Sequence, residues 1–185
     1  MRRLGFALVM IAAVAAPAFA DPAADTVKNS LLAFAKLTSY HATIDSSGKT
    51  LELDMVNPNK MHVTIGPIEA IMLDGAMYVK PQGSWMKIPT AASGMMGAAF
   101  MGAVDRAKSA VTQENFTATD LGMKTVGGTS LHAYSVKSKD SSKPATMYMD
   151  SAGMLARIEV TDDKGGTTAI VYSKFNAPIK IEAPI

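Results

Sequence analysis

Cysteine is absent from all 185 residues. Its absence excludes a disulfide framework, a zinc–thiolate site, a thiol nucleophile and a lipid-modified N-terminal cysteine. Charge of one sign is lacking as well: 18 Lys and Arg face 16 Asp and Glu, and no basic run occurs. A chain so balanced is a poor match for phosphates, so nucleic acid is not an expected partner. Aromatic residues are scarce at 6%. Catalytic signatures fail too, with no Gly-x-Ser-x-Gly and no His-Glu-x-x-His. Gly97 and Gly102 have the glycine spacing of a phosphate loop, but Ala103 and Val104 follow where Lys and Ser/Thr belong. Neither enzymatic activity nor a cofactor is expected. What the chain does have is 48% hydrophobic residues and enough length for one well-buried domain.

Residues 1–20 read as an export signal. Arg2 and Arg3 form a positive start, residues 4–16 are apolar apart from Gly5, and Pro17 breaks the run. Ala18-Phe19-Ala20 then supplies the small residues a signal peptidase needs, predicting cleavage before Asp21. The apolar run is shorter than the roughly 20 residues of a spanning helix. Loss of Arg2 and Arg3 brings the basic and acidic counts level. The expected product is a periplasmic, soluble protein of residues 21–185 forming a single domain.

Asp21-Pro22 has the form of an N-cap followed by proline at the first helical position. Ala24, Val27, Leu31, Phe34 and Ala35 then share one helical face, predicting a helix that ends near Thr38. From Tyr40 onward period two takes over. Leu51, Leu53 and Met55 alternate with Glu52 and Asp54, and Met61, Val63 and Ile65 with Lys60, His62 and Thr64. Further strands are predicted at 68–73, 76–80, 85–88, 130–137, 144–150, 154–161 and 167–175, about ten in all. Asp74-Gly75 is a two-residue hairpin signal, and the connections are too short for parallel crossovers. Residues 91–111 interrupt this meander. Ala92, Met96, Ala99, Phe100, Ala103 and Ala107 would share a helical face, with Asp105 and Lys108 opposite. Gly94, Gly97 and Gly102 each cost such a helix about 1 kcal/mol relative to alanine, so the segment reads as a mobile cover.

The polar candidates are few. Glu52 and Asp54 point to the side of a strand opposite its apolar residues, which suits a solvated face better than an acid–base pair. Asp162 and Asp163 sit in a glycine-rich turn. His41, His62 and His132 fall on different strands, with nothing in their spacing to force a metal site; His62 is expected on an exposed face. The 14 methionines are the richest resource. They support three readings: ordinary core, thioether ligation of copper(I) around Met95, Met96 and Met101, or a cavity lined by unbranched side chains that adapts to flexible apolar ligands. On the cavity reading its walls are Met55, Met61, Val63, Met147 and Met149, with Met96, Phe100 and Ala103 on the cover. No metal ligands are assigned.

Several stretches carry a resemblance. They are Leu37-Thr38-Ser39-Tyr40, Asn57-Pro58-Asn59-Lys60-Met61, Asp74-Gly75-Ala76-Met77-Tyr78-Val79 and Gly83-Ser84-Trp85-Met86-Lys87-Ile88-Pro89. Two more follow the interruption: residues 147–158, and the closing run Tyr172-Ser173-Lys174-Phe175-Asn176-Ala177-Pro178 with Ile181 and Pro184. In this order they resemble the lipoprotein-carrier (LolA/LolB-like) superfamily, and especially the LppX/LprG-like lipid-binding lipoproteins. The resemblance implies an α+β, mostly β fold: an open half-barrel of antiparallel strands wrapped around an N-terminal helix and a middle helical plug. It also implies a lipid or acylated protein as ligand, bound on a concave apolar face, with an inner- or outer-membrane partner. An envelope-stress regulator acting by protein contact is the alternative within the same fold. The acylated cysteine of the lipoproteins has no counterpart here. The carriers' lid-holding arginine would have to be Arg106 or Arg157, and neither is matched to it by motif.

Overall fold

The computed structural model describes residues 21–81, 83–89, 116–139, 143–161 and 165–185. The chain enters through a helix, α1 (Pro22–Ala35). The Asp21 carboxylate accepts from the backbone N–H of Ala23 at 3.1 Å and of Ala24 at 3.4 Å, satisfying two donors that the first turn leaves free. The helix ends at Ala35, earlier than the apolar spacing predicts, because the Lys36 and Leu37 amides turn back to the Ala33 and Phe34 carbonyls. Ala35 is exposed in consequence, while Ala24, Val27, Leu31 and Phe34 face the core.

Among the described residues eleven strands follow. The first six are β1 (Ser39–Ser46), β2 (Lys49–Val56), β3 (Lys60–Ile65), β4 (Ile68–Leu73), β5 (Ala76–Lys80) and β6 (Met86–Ile88). The second set is β7 (Phe116–Val126), β8 (Thr129–Ser138), β9 (Ala145–Met149), β10 (Leu155–Thr161) and β11 (Thr167–Ser173). All lie in one open sheet of order β6-β5-β4-β3-β2-β1-β11-β10-β9-β8-β7, and every pairing is antiparallel. Two meanders are therefore joined where the first strand meets the last. The mostly β, open-sheet class expected from sequence is the class observed.

The strand that sequence reading missed is β7. It is an edge strand whose outward residues are largely Thr and Lys, and a bulge between Asp120 and Gly122 breaks its period. Trp85 precedes β6 rather than beginning it, and β11 stops at Ser173, where Lys174 takes φ 52°. At the β4–β5 turn, Asp74 (φ 50°) and Gly75 (φ 82°) both adopt the left-handed conformation that a two-residue hairpin requires.

One end of the sheet is tied by side chains that lie far apart in sequence. Asn57 donates its amide to the Leu37 carbonyl at 2.6 Å, and its backbone N–H to Thr38 at 2.9 Å. The Asn176 side chain accepts from the Thr38 N–H and hydroxyl at 2.8 and 3.0 Å, and Ser39 donates to the Ala177 carbonyl at 2.6 Å. This knot fixes the exit of α1, the β2–β3 turn and the start of the C-terminal tail against one another. The tail then runs over the outer side of the sheet, where Ile179 and Ile181 pack with Ile71, Tyr78 and Trp85.

Candidate functional site: a concave apolar face

Because side chains alternate across a strand, the register determines which residues share a side. The side that carries α1 is built from three cross-strand rows. The first runs Tyr40, Met55, Met61, Met72, Met77 and Ile88. The second runs Tyr172, Ala42, Leu53, Val63, Ala70, Val79 and Met86. The third runs Tyr134, Met147, Ile158, Ile170, Ile44, Leu51, Ile65 and Ile68. On β1–β6 this surface carries no ionisable side chain except the Tyr40 phenol until Lys49, at the rim beside the β1–β2 turn.

Five residues expected from sequence to line a cavity stand on this side, but in two settings. Met147 and Met149 lie under α1 with Val27, Tyr134 and Leu155, and Met149 is only 2% exposed with the Ser30 hydroxyl 3.2 Å from its sulfur. They are core. Met55, Met61 and Val63 lie on β2 and β3, outside the cluster beneath the helix; Met61 and Val63 are half-buried, whereas Met55 is only 4% exposed. Met72 and Met77 extend their row, a continuation the pairing register reveals and period-two reading alone could not. At the rim, Ile65 is 43% exposed, Ile68 is 47% and Met86 is 50%. Met96, Phe100 and Ala103, with the whole cover at 91–111, lie outside the described residues, as do Met95, Met101, Arg106, Asp162 and Asp163.

His41, Glu52, Asp54 and His62 occupy the opposite, outer side. His41 is not isolated: its Nδ1 lies 2.7 Å from Asp54 and its Nε2 2.8 Å from Glu52, while Thr43 donates to Glu52 at 2.9 Å. The two carboxylates expected on a solvated face are thus the clasp of a cross-strand imidazole. His62 is on the outer face but half-buried, with Nε2 3.4 Å from Glu69. Arg157 also points outward, binding Glu159 at 2.8 Å, so it stands on the wrong side of the sheet to hold anything over the concave face. His132 instead shares the α1 side with its cross-strand partner Met149, where it bonds Asp120 at 2.7 Å and stacks on Tyr134 at 4.7 Å. Among the described residues no group of three His, Cys, Asp or Glu is arranged to hold a metal ion, and no described helix is long and apolar enough to cross a membrane.

Glu69 yields an acid-sensitive contact. The Lys80 ammonium at 2.7 Å, assisted by His62, holds its carboxyl below the ordinary 4.5. A carboxylate with a lowered folded pKa stabilises the fold above its unfolded value, and that contribution is lost as pH falls through the folded one. Lys80→Met is therefore expected to raise the Glu69 titration midpoint toward 4.5. Carboxyl-carbon NMR from pH 6 to pH 2 reads this directly, and an unmoved midpoint contradicts it.

No protein-family model and no curated protein matches the chain. Solved structures do. The lipoprotein LppX of Mycobacterium tuberculosis superposes with a TM-score of 0.63 at 17% identity, over 88% of this chain and 100% of that one. LprF of Mycobacterium bovis gives 0.62 at 18% identity, over 89% and 98%. An open antiparallel sheet with a helix against its concave side, assembled over nearly the whole described chain, is thus the LppX-like fold that the turn and strand motifs resemble.

Proposed function

We propose that this protein is a non-enzymatic carrier or sensor that holds the acyl chains of a lipid, or of an acylated protein, against the concave side of β1–β6. The observation that carries this reading is the unbroken apolar field of the three rows. Burying apolar surface contributes about 25 cal/mol per Å2, so an acyl chain laid along the rows gains several kcal/mol before the cost of ordering it. The four methionines of the first row bend without breaking rotamer rules and so suit chains of varied shape. They favour a lipid over copper(I), because strands about 4.8 Å apart spread them along a line of roughly 14 Å instead of gathering them about one ion. The fold shared with the lipoprotein LppX supports the same class of ligand. A cleavable leader ending before Asp21 supports work in the periplasm, and Asp21 caps α1. Loading or delivery would involve a partner in the inner or outer membrane.

The test is displacement of a hydrophobic dye by extracted envelope lipids, paired with native mass spectrometry of protein purified from periplasm. Displacement and a bound-lipid mass are the expected results. A ligand-free protein that displaces nothing yet captures a defined envelope protein would replace this reading with regulation by protein contact.

A further inference from the structure

Two tyrosines meet at the seam between the half-sheets, in the middle of the apolar field. Tyr40 on β1 and Tyr172 on β11 have ring centroids 5.9 Å apart, edge to face. Phe34 of α1 rests against both, at 4.9 and 4.7 Å. Tyr40 is paired across the strands with Met55 and Tyr172 with Ala42, so their immediate neighbours on the sheet are apolar. Burial raises the phenol pKa of each above 10.0, and Tyr40 raises that of Tyr172 further, which keeps both as neutral O–H donors at any physiological pH. Among the described residues neither hydroxyl has a hydrogen-bond partner, and neither is sealed from water, so both are open to an incoming acceptor; Tyr148 on the outer face, by contrast, donates to Glu159 at 2.7 Å.

Binding sites for apolar ligands fix orientation with a few hydrogen-bonding groups placed among apolar side chains. Building on the acyl-binding reading above, we propose that Tyr40 and Tyr172 are the polar anchor of the concave face. Their hydroxyls donate to the carbonyl oxygen at the head of an acyl ester. The chain then runs from Tyr40 along Met55, Met61, Met72 and Met77, a row of about 19 Å at the usual strand spacing. The anchor sets the direction of the ligand, and the methionines set its tolerance.

The double substitution Tyr40→Phe/Tyr172→Phe removes both donors and keeps both rings. Two fluorescent probes are titrated into wild type and variant: methyl cis-parinarate, which has an ester head, and diphenylhexatriene, which has none. The variant is expected to bind the ester roughly fivefold or more weakly, and diphenylhexatriene as tightly as wild type does. Equal binding of the ester by both proteins overturns the anchor. A loss of both probes in parallel also overturns it, because the rings would then matter only for packing. If wild type binds neither probe, the acyl-binding reading itself fails. Unchanged circular dichroism of the variant ties each outcome to binding.

Discussion

Met149→Asp is expected to unfold the protein, and Met61→Asp to leave it folded but at least tenfold weaker for an acyl chain (~1.4 kcal/mol). Both methionines lie on the concave side of the sheet, yet their surroundings differ. Met149 is sealed beneath α1 among Val27, Tyr134 and Leu155, where an aspartate has neither water nor a partner and costs about 3 kcal/mol or more. Met61 is half-buried, in a row that the helix cluster does not include, so its aspartate retains access to solvent in the empty protein. A ligand laid on the row would have to bury that carboxylate. Circular dichroism and dye binding measured on both variants separate the cases. Unfolding of Met61→Asp, or undiminished binding by it, would remove the β2–β6 rows from the ligand site.

Removing residues 178–185 should cost about 2–5 kcal/mol, although this stretch has no regular secondary structure. Ile181 is only 7% exposed and packs with Ile71 and Tyr78 on the outer side, with Ile179 and Trp85 beside them. The truncated chain would present those side chains to water. The expected signs are a melting temperature lower by on the order of 5–15 °C and new binding of a hydrophobic dye that acyl ligands do not displace. Ile181→Ala should reproduce much of the thermal shift. A tail that can be removed without thermal effect would mean that its contacts do not persist in solution.

The fold was legible in sequence wherever turn chemistry and alternation agreed. Asp21-Pro22 set the start of α1, Asp74-Gly75 formed the turn its residues demand, and β3, β4 and β5 have the predicted bounds. The motifs behind the family resemblance prove to be structural. Thr38, Asn57 and Asn176 form one hydrogen-bonded knot, and Asp150 folds its own turn by accepting from the Ala152 and Met154 amides. Such residues specify an architecture and say little about a ligand. The site was half legible. Alternation put Met55, Met61, Met147 and Met149 on apolar phases, but it cannot say which half of a sheet a helix covers. That depends on where α1 crosses, and so Met149 proves to be core. The His41 clasp was invisible because its partners are set by the pairing of β1 with β2, not by spacing along the chain. The polar edge strand β7 gave too weak an alternation to be seen.

The pairing of β1 with β11 joins His41 to Ser173 and Ile44 to Ile170, across almost the entire chain. Contacts so distant in sequence form late and slowly, because a long loop must close before they contribute. Each half can zip strand by strand from its own hairpins, but the concave field spans both halves and has Tyr40 and Tyr172 at its seam. The pair of Tyr40 and Tyr172 therefore comes together only after the last strand has been synthesised and docked. Before that pairing the chain is two meanders with exposed edges. Closing the seam and pairing the two tyrosines are thus one step of assembly.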